Sequence, residues 1–322
     1  MRNPEIKKQN KNGFFNGLLG EPNAAKASGA TFTLVSILPV FLSVIFIIVI
    51  GVLGFAGEEV TKNDWYIYAG MLLVQISFVL IAIWYFKWTK KSIKTAFLEQ
   101  KCHPKYFLWA IILQFGLMSL SELNTLFLKL LGNVGYQDSG LTLPSMEGWG
   151  FVGVFLVVAV LPAILEEMIF RGLLLKGLRG FGTTGAVLIC GALFALYHQN
   201  PAQTIYQFCC GAAFALVAVK SGSILPTVLS HFINNALILV LTNLGISSFS
   251  TPVFVTVVVV CSVCLITSLI YLIFIDRRGA CTQRTKKTDK NERRDFWIFA
   301  AVGVVVCLVS WGTMLFSGIV GS

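Results

Sequence analysis

The stretch Leu161-Pro162-Ala163-Ile164-Leu165-Glu166-Glu167-Met168-Ile169-Phe170-Arg171 sets two adjacent carboxylates and an arginine inside an apolar run. That run continues on both sides, and a helix needs about 20 such residues to span a bilayer. A carboxylate at the centre of a membrane helix costs roughly 2.5–3.5 kcal/mol even on the milder insertion scale. A segment with two of them, and a cation one helical turn later, reads as a membrane helix that uses its charges.

The rest of the chain agrees. Its 322 residues are 56% hydrophobic and only 12% charged, with mean hydropathy +0.78. Those values exclude an ordinary soluble domain and point to a polytopic membrane protein. The expected fold is all-α, a transmembrane helix bundle of eight or nine spans. Nine apolar runs stand out: 31–55, 65–88, 106–132, 149–179, 184–200, 203–220, 225–243, 253–275 and 296–319. Short loops join them and no internal repeat is evident, so one bundle is expected and not two domains.

The formal net charge of +10 lies almost wholly outside these runs. Nucleic acid would suit a basic soluble protein; here the positive-inside rule accounts for the charge, and no nucleic-acid partner is expected. Basic residues fall on alternate connections: the N-terminal tail, the Lys87–Lys105 segment, the turn with Lys176 and Arg179, the turn at Lys220 and the Arg277–Arg294 loop. The connections between them carry Glu58, Glu59, Asp64, Asp138 and Glu147. The expected organisation is a basic cytoplasmic tail over 1–30, a bundle over 31–275, a basic cytoplasmic loop over 276–295 and a further membrane helix over 296–322. The chain is placed in the cell membrane as a multi-pass protein, with the bilayer as its partner. Its N-terminus is then cytoplasmic and its C-terminus extracytoplasmic.

Six of the eight cysteines lie within apolar runs and two, Cys102 and Cys281, in the basic loops. No disulfide framework is expected. Neither a Walker motif nor an H-E-x-x-H appears.

Of three histidines, His103 sits in a basic loop, whereas His198 and His231 sit in apolar runs. Ionisable residues at membrane depth are functional candidates by default. Helical spacing assigns them neighbours, since residues four apart share a face. Glu167 can pair with Arg171, which leaves Glu166, about 100° round the axis, without a local partner. Low dielectric favours a neutral acid, so a carboxylate so placed suits proton abstraction near neutral pH. Phe194 is four residues from His198, and His231 four from Asn235. Counted from the Gly180–Thr184 turn, Glu166 and His198 both lie about 21 Å along antiparallel helices.

Glu166-Glu167-x-x-x-Arg171, Phe194-x-x-x-His198 and His231-x-x-x-Asn235, complete and in this order, resemble the three signatures of the CPBP family. These are the CAAX prenyl proteases and the bacteriocin-processing and self-immunity proteins, also called the Abi family. The resemblance covers about residues 149–245. It implies an intramembrane endopeptidase of the glutamate type, with a cavity that opens toward the cytoplasm. By motif position Glu166 and His198 would activate water, and His231 and Asn235 would form an oxyanion hole. Glu167, Arg171 and Phe194 would shape the site. The substrate would be a membrane-associated peptide or protein, the compact architecture looks bacterial, and no cofactor is implied.

Three alternatives stay open. Glu166, His198 and His231 could form a zinc set with an open position. The chain could be a non-catalytic scaffold or bacteriocin-immunity protein. A transporter could use the same charges together with Glu122 and Lys129, although paired broken helices are missing.

Overall fold

The computed structural model describes residues 23–55, 57–98, 101–138, 140, 142–246, 248–276 and 289–321. Among these the chain is helical and has no strand. The long helices are α1 (Ala24–Val52), α2 (Asp64–Thr89), α3 (Lys105–Gly132), α4 (residues 149–177), α5 (Gly182–Tyr197), α6 (Thr204–Ser221), α7 (Leu225–Asn243), α8 (Thr251–Ile275) and α9 (Lys290–Val320). Among the described residues, eight continuous helical stretches are long and apolar enough to cross a membrane. One of them, Trp149–Tyr197, comprises both α4 and α5. It folds back on itself: the rings of Phe170 and Phe194 lie 5.0 Å apart, and Cys190 Sγ donates to the Phe170 carbonyl. Gly182 makes the reversal with φ +76°, a conformation that a side chain would strain.

Two helices start earlier than the apolar runs suggest, because caps rather than hydrophobicity set their ends. Asn23 accepts from the backbone N–H of Lys26 and starts α1 at Ala24. Asp289 accepts from the N–H groups of Asn291 and Glu292 and starts α9 at Lys290. Each cap satisfies donors that a helix start would leave open. Most of the expected 276–295 loop, with Cys281, lies outside the described residues.

Helix ends sort into two groups. At one end the Lys176 ammonium donates to the Thr95 carbonyl. There too Asp289 N–H bonds the Gly180 carbonyl at 3.2 Å, and Ser223 Oγ bonds the Phe97 carbonyl at 3.0 Å. Asp276 closes the group, accepting from Lys105 Nζ at 2.8 Å and Tyr106 OH at 2.7 Å. Burial opposes ionisation of Asp276, but those two hydrogen bonds hold its carboxyl below the usual carboxylate range. Among the described residues this end also holds Lys220, whose Nζ donates to the Asp276 carbonyl at 3.0 Å.

At the opposite end Ser145 N–H bonds Asp64, Tyr68 OH bonds the Gly150 carbonyl, and Gln137 N–H bonds the Gly318 carbonyl. The alternation of loops read from the charges is therefore built into the bundle. α1 and α9 pack in parallel, with Asn23 against Asp295, Thr33 against Gly303 and Ser36 against Cys307. Large apolar side chains such as Ile48, Val263 and Val309 face outward, as a lipid solvent requires. Glu122 also points outward from α3 and does not line the interior.

α5 and α6 are short, 16 and 18 residues. The turn joining them stops below the end of the bundle. Trp311 Nε1, well before the Val320 end of α9, donates to Thr204 at 2.8 Å. Asn124, inside α3, donates to the Ala202 carbonyl at 2.7 Å. The sunken turn leaves a recess, and the polar residues line it.

Candidate active site

α4 is not a regular helix. Two wider π-helical turns, Phe155–Val160 and Met168–Leu174, flank the regular turn Leu161–Glu167 that carries both glutamates. Such turns are frequent at functional sites, because they re-aim side chains without breaking the helix.

Glu167 points into the protein. Its Oε1 accepts from Arg171 Nη1 at 2.6 Å, both groups fully buried, so the pairing expected from spacing is present. Arg171 also donates from Nη2 to the Gly211 carbonyl on α6 at 3.1 Å. Its guanidinium lies 4.3 Å from the ring centre of Phe194, 5.4 Å from Phe214 and 5.9 Å from Phe170. Three π faces and two oxygen acceptors thus offset the cost of burying the cation.

The carbonyl of Gly211 is within reach only because α5 and α6 nearly touch. A Cβ at Gly211 would sit 2.9 Å from Gly191 Cα, and one at Gly191 would sit 2.7 Å from the Ala212 nitrogen. Gly211→Ala is expected to part the helices, with a cost of about 1–3 kcal/mol, as is usual for overpacking. Thermal unfolding in detergent would register it as a lower midpoint with Arg171 still present.

His231 reaches the same carboxylate from α7. Its Nδ1 lies 3.0 Å from Glu167 Oε1, and its Nε2 lies 4.0 Å from Glu166 Oε2. Because the Glu167 carboxylate accepts, Nδ1 carries the hydrogen. His198 is held in the corresponding way: Nδ1 is 2.8 Å from the Phe194 carbonyl. A carbonyl can only accept, so in the neutral ring Nε2 keeps its lone pair free. The Phe194 ring meets His198 edge-on at 4.7 Å.

Asn235 donates from Nδ2 to the Val158 carbonyl at 3.0 Å and accepts at Oδ1 from Asn234 at 3.1 Å. Asn234 is itself fixed, since its Oδ1 accepts from Gln114 at 2.8 Å and from Tyr206 OH at 2.7 Å. This chain sets the amide orientation of Asn235 and leaves its second N–H uncommitted.

Glu166, His198, His231 and Asn235 all line one cavity of about 620 Å³, within the usual range for ligand sites. Glu166 Oε2 is buried and has no hydrogen-bond partner. Among the described residues no three His, Cys, Asp or Glu side chains group in a way that could hold a metal ion. The sequence reading missed Gln114, Tyr206 and Asn234. The signal was present, since each is a polar residue in an apolar run. It also missed the Gly211 carbonyl and the rings of Phe170 and Phe214, which carry no polar signature.

Comparison with known proteins agrees with the motifs. A family model described as Rce1-like, type II CAAX prenyl endopeptidase Rce1-like, matches residues 148–237. No curated protein and no solved structure matches the chain. The matched stretch, residues 148–237, is similar to the Rce1-like family of type II CAAX prenyl endopeptidases and holds Glu166, His198, His231 and Asn235.

Proposed function

We propose that the chain is a metal-free intramembrane endopeptidase that uses Glu166 as its general base. The observation that carries this reading is a buried carboxylate oxygen without a partner in a cavity shared with two histidines and an asparagine. Leaving such an oxygen unpaired costs stability, and the part of the Glu166 side chain that stays accessible in the cavity is where a water substrate meets the carboxylate.

In this reading water donates one hydrogen to Glu166 and the other to the free Nε2 of His198. The oxygen attacks the peptide carbonyl carbon, and the carbonyl electrons move to its oxygen. The second N–H of Asn235 serves that oxyanion, as does His231 Nε2 when that nitrogen carries a hydrogen, and Glu167 holds the ring through Nδ1. Glu166 then passes its proton to the leaving nitrogen as the C–N bond breaks. Aimed donors of this kind act on the transition state more than on the bound substrate. Asn235→Ala is therefore expected to lower kcat by about 10²–10³-fold, with KM little changed, in steady-state assays on a cleaved peptide.

The deciding experiment uses purified protein in nanodiscs with a membrane-peptide library. Cleavage should survive chelation and disappear in Glu166→Gln and His198→Ala. Activity lost to a chelator and regained with zinc would reassign Glu166, His198 and His231 as ligands. Cleavage that persists in Glu166→Gln would remove it as the base. No cleavage from folded protein would return the chain to the scaffold or immunity reading.

A further inference from the structure

The cytoplasmic N-terminus expected from charge and the cytoplasmic cavity implied by the resemblance cannot both hold in this fold. The catalytic cavity lies in the half of the bundle away from the basic connections. Its wall includes Leu143, from the α3–α4 connection, and Gln203, from the sunken α5–α6 turn. It also includes Thr242, beside the end of α7. All three belong to the end where Asp64 meets Ser145 and Gln137 meets Gly318. Toward the basic end the cavity stops at Glu166 and His231, and below them Arg171 fills the space between α4 and α6.

The charge asymmetry is steep. Apart from Lys62, Lys129 and Arg171, every one of the 25 Lys and Arg residues belongs to a segment joined to the basic end. Connections this short and this basic are held on the cytoplasmic side. Moving even one of these clusters across the membrane would oppose both the insertion preference and the membrane potential.

We propose that the cavity opens on the extracytoplasmic face, and that its substrates are apolar, membrane-tethered peptide segments presented from that side. The substrate half of this proposal rests on the peptidase reading; the sidedness does not. The cavity walls suit such a segment. Met71, Val74, Val157, Pro162 and Ile238 give them an apolar surface above a polar floor. A peptide leaving the outer leaflet meets the walls first and the glutamate last. Among the described residues, the pocket that reaches Arg171 from the basic end, lined by Phe97, Lys176 and Arg179, holds only about 20 Å³.

Two measurements test this. In a chain with Cys102 and Cys281 replaced by serine, Glu59→Cys and Lys91→Cys mark the two ends of the bundle. A membrane-impermeant maleimide applied to intact cells should label the first, and the second only after permeabilisation. The reverse pattern overturns the proposal and leaves the peptidase reading untouched. An acylated peptide library is then added to the outer face of sealed right-side-out vesicles. Cleavage there, absent in Glu166→Gln, supports the substrate class. Cleavage only when the library is enclosed inside overturns it. If labelling is as expected but no peptide is cleaved from either side or in detergent, the sidedness stands, and the substrate class falls together with the peptidase reading.

Discussion

Glu166→Gln should lower kcat by about 10²–10⁴-fold, the usual contribution of a positioned general base, while leaving the fold intact or firmer. The two halves of this expectation have one origin. Glu166 Oε2 is buried without a hydrogen-bond partner, so ionising it costs free energy that no protein donor recovers. The amide keeps the shape, removes the charge and cannot take a proton from water. Activity and thermal midpoint should therefore move apart, the pattern expected where function requires a destabilised group. A parallel assay of peptide cleavage and unfolding in the same detergent would read both. A variant that lost stability and activity together would make Glu166 a structural residue.

The second large effect is expected at Arg171. Arg171→Ala strands the Glu167 carboxylate, the Gly211 carbonyl and three aromatic faces at once. Breaking a buried pair by removing one partner costs about 3–5 kcal/mol. Arg171→Lys should not rescue it, since an ammonium lacks the planar fork that serves Glu167 and Gly211 together. The double variant Arg171→Leu with Glu167→Leu should recover much of the loss in thermal midpoint, because no charge is then left alone. It should remain inactive, since Glu167 also orients His231 through Nδ1. Recovery of cleavage in the double variant would sever the link between Glu167 and the histidine.

The fold was legible where hydrophobic runs and charge alternation carried it. The Glu167–Arg171 pair was legible because both residues ride one helix at a fixed spacing. The second acceptor of Arg171 was not legible: it is a backbone carbonyl brought near by the close crossing of α5 and α6. Such an approach depends on small residues that leave no polar trace. The orienting chain from Gln114 and Tyr206 to Asn234 joins three helices, and no local spacing rule relates positions on different helices. The starts of α1 and α9 were misplaced because Asn23 and Asp289 act through geometry, which hydropathy does not register. The end of the bundle at which the cavity opens was not legible from the residues, and the cytoplasmic opening came only from the resemblance. The position of the opening follows from α5 and α6 being shorter than their neighbours, and the sequence displays that only once the heights of the other helices are known.

The parallel pairing of α1 with α9 bears on how the molecule is made. α1 emerges from the ribosome first among the described helices and α9 last, so α1 must wait in the bilayer through the synthesis of everything between. Until α9 arrives, the hydroxyl of Thr33 lacks the Phe299 carbonyl and the Gly303 N–H, and Ser36 lacks the Cys307 thiol. Contacts between segments so far apart in sequence form late in folding. The half-built chain therefore exposes a polar stripe to lipid. A ribosomal pause before residue 290 would prolong that exposure and invite a chaperone or a quality-control protease, whereas completion of α9 closes the stripe and removes the mark.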